Sequence, residues 1–170
     1  MNLNIEITLG SDLPQQTRNL LDEMYQREFS WDKMVYAKPQ WFVIGTFNKK
    51  IVGQVGVLKR EISVGEHLLW TGGIHGVVTD PEHRRRGVAT ALMNRSVDFI
   101  RGQLNLPFGL LTCNPRLEAF YNELGWKTTE EPCVFEQPDG PRSCGGLTMV
   151  IECGSKRWPE GSIDLLGLPW

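Results

Sequence analysis

An apolar strand pattern that turns directly into an amphipathic helix constrains this chain more than any other stretch. Residues 74–78 are β-prone and apolar, and a basic turn that contains Gly87 follows them. Apolar residues then recur at helical spacing over residues 88–102. A short apolar run at residues 108–112 predicts a second strand. Because a crossover helix joins two parallel strands of one sheet, this stretch predicts a parallel strand pair in an α/β domain.

The remaining segments read mostly as strands connected by tight turns. Residues 3–8 alternate between apolar and polar side chains, whereas residues 11–29 can form one or two helices. Residues 41–47 and 51–60 predict a hairpin, and a further strand is expected over residues 67–78. With the strands of the last third, these segments predict a mixed, mostly antiparallel sheet of about seven strands with flanking helices.

Length and composition indicate one ordinary globular domain over residues 1–170. The formal net charge is −2, which gives no support to a nucleic-acid surface. No apolar run approaches the roughly 20 residues of a membrane span, and the first residues do not resemble a signal peptide. We therefore expect a cytoplasmic protein that does not bind membranes. Its four cysteines contain no CxxC pair, which predicts free thiols and no metal site.

The turn before the helix combines positive charge with small residues. Backbone N–H groups at a helix start lack intrahelical partners and lie at the positive end of the helix dipole. Gly87 allows a ligand to approach the backbone, and small Ala89 leaves the approach open. A solvated basic loop is the alternative explanation for the arginines alone. The whole pattern predicts a pyrophosphate site at Arg84, Arg85, Arg86, Gly87, Val88 and Ala89.

This turn is neither a GxGxxG loop nor a Walker loop. The pattern Arg84-x-x-Gly87-x-Ala89 resembles the (Q/R)xxGx(G/A) signature of the GCN5-related N-acetyltransferases (GNAT), which cradle the pyrophosphate of acetyl-CoA. A second block, Asn114-x₄-Ala119-Phe120-Tyr121-x₃-Gly125-Trp126, resembles that family's later motif, with Trp126 where Phe is commoner. The resemblance covers residues 41–152. It implies the GNAT fold, acetyl-CoA as cosubstrate, and acetyl transfer to an amine by direct attack.

The resemblance also implies roles for individual residues. The backbones of Val77 and Val78 would bind the pantetheine arm, and an N–H near Val77 would bind the thioester oxygen. Tyr121 occupies the position of the general acid that protonates the CoA sulfur. Asn114 would either cap its helix or hold the pantetheine arm. Cys113 offers a ping-pong alternative, but no base is visibly paired with it.

His75 lies one strand alternation before Val77, on the strand that the family uses to separate its two substrates. Many relatives place a glutamate near this point, acting as a base through water. An imidazole with a pKa of about 6.5 could do the same at cellular pH. The alternative is a structural histidine whose ring is satisfied by a backbone carbonyl.

More loosely, the chain resembles the aminoglycoside 2′-N-acetyltransferases and the nodulation N-acyltransferases. In such enzymes the region that corresponds to residues 31–39 covers the acceptor, so Trp31 is a candidate substrate contact. Their terminal tryptophan adds its carboxylate to the acceptor site, a position that Trp170 matches. Residues 142–145 and 168–170 lack the aspartates that those enzymes direct at a polycation. A less charged amino sugar is therefore a further candidate acceptor.

The last segment, residues 153–170, shows no helix or strand pattern, yet it is too apolar to extend into water. We expect it to pack back near the acceptor site, with a dimer contact or a cover for the sheet as the alternative. Acetylation of a protein or peptide, and a non-catalytic acyl-CoA-binding module, are the alternative functions. The small-molecule amine is the expected partner, and a homodimer is left open.

Overall fold

The computed structural model describes residues 2–170, which form a ten-stranded mixed sheet with three α-helices. The helices are α1 (Gln15–Phe29), α2 (Val88–Gly102) and α3 (Glu118–Glu123). The strands are β1 (Asn4–Leu9), β2 (Trp41–Phe47), β3 (Lys50–Val64), β4 (His67–Thr79), β5 (Phe108–Cys113), β6 (Lys127–Thr129), β7 (Cys133–Gln137), β8 (Gly140–Ser143), β9 (Leu147–Glu152) and β10 (Ile163–Asp164). No helix among these residues is long and apolar enough to cross a membrane.

The sheet follows the order β6-β9-β5-β4-β3-β10-β7-β8, and β1 and β2 extend it beside the first half of β3. The pairs β4–β5 and β7–β10 are parallel, and the other pairs are antiparallel. The mixed, mostly antiparallel sheet with a parallel pair across a helical crossover is thereby confirmed. It has ten strands rather than about seven, because β6, β8 and β10 are too short to show a periodic pattern.

The C-terminal segment corrects one expectation, because it does contribute a strand. Ile163 and Asp164 form β10, which lies between β3 and β7 and pairs with both. The side chain of Ile163 is fully buried. Burial of such a side chain stabilises by roughly 1.5–3 kcal/mol. Two residues suffice here because neighbours on both sides satisfy their backbone groups.

The helices cover opposite faces of the sheet. On one face, α2 buries Leu92, Met93 and Ile100 in the main core, as its apolar spacing predicted. On the other face, α1 buries Leu21 and Met24.

Candidate active site

The parallel strands β4 and β5 separate shortly after they meet. Their register pairs only Thr71 with Phe108, Gly72 with Gly109, and Gly73 with Leu110. Beyond Gly73, β4 continues to Thr79 without a partner in β5. Backbone N–H and C=O groups on that side of β4 are therefore free to bind a ligand that enters the split.

A β-bulge interrupts β4 at this point. His75 pairs with Gly56 and Val78 pairs with Gln54, so Gly76 and Val77 together oppose a single residue of β3. Gly76 has a φ of +57°, in the left-handed region that favours glycine. A bulge turns the backbone away from regular pairing. It therefore changes the direction of the backbone groups of Val77, the residue that the family resemblance assigns to the thioester oxygen.

The turn before α2 has the conformation of an anion site. Arg85 and Gly87 have φ values of +58° and +79°, and the first helical bond, from the Ala91 N–H to the Gly87 C=O, measures 3.0 Å. The N–H groups at the start of α2 are thus without intrahelical partners. A Cβ at Gly87 would meet no atom within 4 Å, so the approach to this backbone is open.

The side chains around the turn differ in whether contacts with other residues hold them in place. Arg84 pairs with Glu28 of α1 and donates to the Thr79 carbonyl at 3.3 Å, which ties the turn to α1. Arg85 and Arg86 are exposed. The hydroxyl oxygen of Thr79 is buried and has no hydrogen-bond partner within residues 2–170. Open N–H groups, two exposed guanidinium groups and an unpaired buried hydroxyl together fit a phosphate-bearing ligand.

Tyr121 lies on α3 and is 5% exposed, with its ring 6.5 Å from that of Trp126. Burial, with a smaller contribution from the nearby Cys113 thiol, raises the pKa of the Tyr121 phenol above its usual range. The phenol therefore carries its proton at any physiological pH. A group that must donate a proton needs this state.

Asn114 caps the turn that precedes α3, because its side-chain oxygen accepts the Arg116 N–H at 3.0 Å. Of the two roles left open by the sequence, the structure shows the cap. Cys113 is partly buried, and burial, with the charge of Glu118, raises the pKa of its thiol to about 11. A protonated thiol is a poor nucleophile, so the site does not favour a cysteine-linked intermediate.

His75 lies between two tyrosine rings beside the bulge. Its ring stacks on Tyr25 with centroids 5.0 Å apart and lies 5.5 Å from the ring of Tyr36. Burial lowers the pKa of His75 to about 4. This pKa is lower than the ordinary imidazole value expected from the sequence, because the aromatic neighbours remove water from the ring. At cellular pH the imidazole is neutral and only weakly basic.

A cavity of about 390 Å³ opens beside His75 and Gly76, between α1 and the segment of residues 32–39. Tyr25, Phe29 and Tyr36 give it aromatic walls. Its charged lining residues are Arg18, Asp22, Asp32 and Lys38. The sequence predicted the segment over this cavity but not these side chains, although Arg18, Tyr25 and Phe29 follow helical spacing along α1.

Long-range hydrogen bonds hold the segment over the cavity. The Val35 N–H donates to Gln137 Oε1 at 3.0 Å, and Gln137 Nε2 donates to the Val35 carbonyl at 2.8 Å. The Ala37 N–H donates to the Pro169 carbonyl at 2.8 Å. The C-terminal segment and β7 therefore determine the course of residues 32–39 above the cavity.

The two tryptophans that sequence reasoning assigned to the acceptor lie in different surroundings. Trp31 is 75% exposed, and its indole donates to the Glu28 carbonyl at 3.0 Å, outside the cavity lining. Trp170 is 4% exposed and donates from Nε1 to the Leu110 carbonyl at 3.2 Å. Its indole lies where β4 and β5 part, with the guanidinium of Arg60 5.1 Å above the ring.

The chain matches known acetyltransferases in sequence. Residues 10–129 match the acetyltransferase (GNAT) domain family. The aminoglycoside 2′-N-acetyltransferase of Mycolicibacterium fortuitum is 25% identical over 134 residues, which cover 76% of this chain and 68% of that protein. An uncharacterized N-acetyltransferase of Methanocaldococcus jannaschii is 26% identical over 143 residues, which cover 67% of this chain and 59% of that protein.

Solved structures agree on the fold. ElaA of Escherichia coli superposes with a TM-score of 0.64 at 16% identity, covering 88% of this chain and 99% of that one. The Escherichia coli GNAT family N-acetyltransferase YhbS, solved in complex with CoA, superposes with a TM-score of 0.66 at 14% identity, covering 98% of this chain and 92% of that one. The chain belongs to the GNAT family of N-acetyltransferases and is an acyltransferase.

Proposed function

We propose that this protein transfers the acetyl group of acetyl-CoA to a primary amine of a small molecule, with an amino sugar or aminoglycoside as the favoured acceptor class. The position of the β-bulge is the main support for this proposal. The bulge at Gly76 and Val77 lies where the β4–β5 split and the cavity beside His75 meet. A thioester in the split and an amine in the cavity would thus share one stretch of backbone, and such alignment is a large part of catalysis of acyl transfer.

The residues that would hold acetyl-CoA are those of the open turn and the split strand. The N–H groups of Val88 and Ala89 and the side chains of Arg85 and Arg86 suit its pyrophosphate. The unpaired edge of β4 at Val77 and Val78 suits its pantetheine arm; the Asn114 side-chain oxygen is already used by its cap. When bound, acetyl-CoA supplies the activated acyl group.

Tyr121 is the general acid of the proposal. Its raised pKa keeps the proton on the phenol, so Tyr121 can donate it to the CoA sulfur as negative charge develops there. The same shift makes Tyr121 unable to act as a base. Val77 contributes its main-chain N–H, which would stabilise the negative charge that develops on the thioester oxygen.

His75 is suited to positioning the amine and to a transient proton relay. Because its pKa is about 4, it remains neutral and can accept a hydrogen bond from an amine N–H. It cannot hold a proton taken from an ammonium group at pH 7. The amine must therefore lose its proton to water, or pass it through His75 to water. This favours attack by the fraction of amine that is already neutral.

The acceptor class is supported by the cavity and by the similar aminoglycoside acetyltransferase. Aromatic walls suit the apolar faces of a sugar ring, and the Asp32 carboxylate suits an amine. The alternative, acetylation of a protein or peptide, needs an open groove. Residues 32–39 instead cross over the cavity, held by Gln137 and Pro169. A compact acceptor fits this partly covered cavity better than a protein chain does, whether the enzyme is a monomer or a homodimer.

The test is thiol release from acetyl-CoA by the purified protein with a panel of amines. The panel contains amino sugars, aminoglycosides, α-amino acids and a lysine peptide, with mass spectrometry of the products. We expect acetylated product with a small amine and none with the peptide, and much slower release from Tyr121→Phe. CoA binding without thiol release from any amine would favour the non-catalytic binding module instead.

A further inference from the structure

The cavity has two ends that lie under different parts of α1. The C-terminal half of α1 is over β4, where Tyr25 stacks on His75 and would contact a Cβ at Gly76 at 2.9 Å. The preceding half is over β3 and β2, where the Gln54 side chain donates to the Leu21 carbonyl at 2.7 Å and Leu21 shares a buried cluster with Ile44 of β2. Arg18 lies seven residues before Tyr25. Seven residues of helix span about 10 Å. This is close to the distance between β4 and β2, which lie two strand spacings, or roughly 9.6 Å, apart in the sheet.

Arg18 is an incompletely paired cation at the far end. Its Nη2 donates to the Leu13 carbonyl at 3.1 Å, but its Nε is buried and has no partner within residues 2–170. It takes part in none of the ion pairs formed among those residues. A buried donor without an acceptor destabilises the protein unless a ligand oxygen pairs with it. The guanidinium fork suits a carboxylate or a phosphate.

Asp32 gives the other end the opposite charge. Its carboxylate accepts the Met34 N–H at 2.9 Å and the hydroxyl of Tyr36, which fixes it beside the rings that flank His75. Its negative charge adds to burial in raising the pKa of Tyr25 to about 12, in keeping with that position. A carboxylate held in place by two hydrogen bonds is oriented to pair with an ammonium group.

We infer that the acceptor is a dipolar molecule, with its amine between Asp32 and His75 and a carboxylate or phosphate on Arg18, which precedes Tyr25 by about 10 Å along α1. This rests on the proposed function, because it places the amine beside Gly76 for acetyl transfer. The other charged residues of the lining, Asp22 and Lys38, are both exposed and carry opposite charges, so they offset each other. An amino sugar that carries an acidic group is complementary to this cavity. Of the two acceptor classes proposed above, this favours the amino sugar, because a polycationic aminoglycoside would leave Arg18 both unpaired and repelled.

A chain-length series tests the inference. We would measure kcat/KM by thiol release for ω-amino carboxylates of increasing length and for n-alkylamines of matched length. The amino carboxylates should be preferred by roughly ten- to hundredfold, the effect of one charge-assisted hydrogen-bonded contact. The preference should be largest near 8-aminooctanoate, whose extended charges are about as far apart as Arg18 and Tyr25 are along α1. An ω-aminoalkyl phosphate of similar length distinguishes a carboxylate site from a phosphate site.

Arg18→Gln should remove the preference, whereas Arg18→Lys should retain part of it. Arg157→Gln is the matched control, because that side chain is 84% exposed and lies outside the cavity. Equal rates for the two series, or an unchanged preference in Arg18→Gln, would overturn the inference and leave the acetyltransferase proposal intact.

Absence of thiol release with every amine would instead overturn the proposed function. Calorimetry of 8-aminooctanoate and octylamine with the wild type and Arg18→Gln then decides the role of Arg18 separately. Tighter binding of the amino carboxylate that disappears in Arg18→Gln supports the oxyanion site, and equal binding of both compounds contradicts it. Melting temperatures of all variants show whether the fold is retained.

Discussion

The indole of Trp170 occupies the space that a side chain at Gly73 would need. A Cβ at Gly73 would lie 2.4 Å from the indole nitrogen, and that nitrogen donates to the Leu110 carbonyl. Gly73 and Leu110 form the last pair between β4 and β5. The C-terminal residue therefore packs at the point where the two strands separate, on the floor of the split.

Gly73→Ala should accordingly displace Trp170 and lower the free energy of unfolding by roughly 1–3 kcal/mol, the usual cost of overpacking. Trp170→Ala should cost roughly 3–5 kcal/mol, as expected for a buried aromatic side chain. Gly102→Ala is the matched control, because a Cβ there would meet no atom within 4 Å. Urea denaturation measures all three. Equal stability of Gly73→Ala and Gly102→Ala would show that the indole can move aside without cost.

Gly87 provides a test of the cosubstrate site. Gly87→Glu places bulk and negative charge where the turn is open, and the dissociation constant for CoA should rise roughly 100-fold, equivalent to about 2.7 kcal/mol. Gly140→Glu introduces the same residue at another open position, with a φ of +122°, far along the chain on β8. It should lose stability through similar backbone strain but bind CoA normally.

Calorimetric titration with CoA separates the two variants. If a folded Gly87→Glu protein binds CoA as the wild type does, the pyrophosphate does not lie on this turn. If both variants lose affinity equally, backbone strain rather than local charge is responsible.

Much of this site could be predicted from sequence because its signals are local. Helix α2 has the predicted bounds, since Gly87 ends the turn and apolar spacing continues to Gly102. The free state of the four cysteines was also predicted correctly. The bulge could not be foreseen, because it exists only in the register between Gly76 of β4 and its partner strand.

The acceptor cavity was missed because its residues depend on distant contacts. Residues 32–39 have no periodicity, and their path is determined by Gln137 and Pro169, more than 100 residues away. The lowered pKa of His75 likewise depends on packing against Tyr25 and Tyr36, which no one-dimensional pattern reports.

Tyr121 provides a test of proton transfer. Tyr121→Phe removes one hydroxyl and should lower kcat by roughly 10²–10⁴-fold, the scale for loss of a general acid. CoA affinity should change little. Tyr36→Phe is the matched variant, since it also loses one hydroxyl, the one that donates to Asp32. It should raise the acceptor KM rather than lower kcat. Steady-state kinetics would contradict these roles if Tyr121→Phe changed only KM.

His75 should make stability depend on pH below neutrality. Its folded pKa of about 4 lies below the usual value of about 6.5, so between these values the unfolded chain binds a proton that the folded protein does not. The free energy of unfolding contributed by His75 is therefore fully present above about pH 6.5. It falls by up to about 1.4 kcal/mol per pH unit as the pH decreases toward 4. His75→Gln should remove this slope.

Urea denaturation at several pH values between 4.5 and 7 measures the slope, with His67→Gln as the control because His67 is exposed at the start of β4.

The lowered pKa of His75 should also determine how kcat/KM depends on pH. Since His75 is neutral above about pH 5, the acidic limb of kcat/KM should track the pKa of the acceptor amine and survive in His75→Gln. Amines of different basicity should shift that limb. A limb near pH 6.5 that is the same for every amine and disappears in His75→Gln would mean that His75 titrates there and acts as the base.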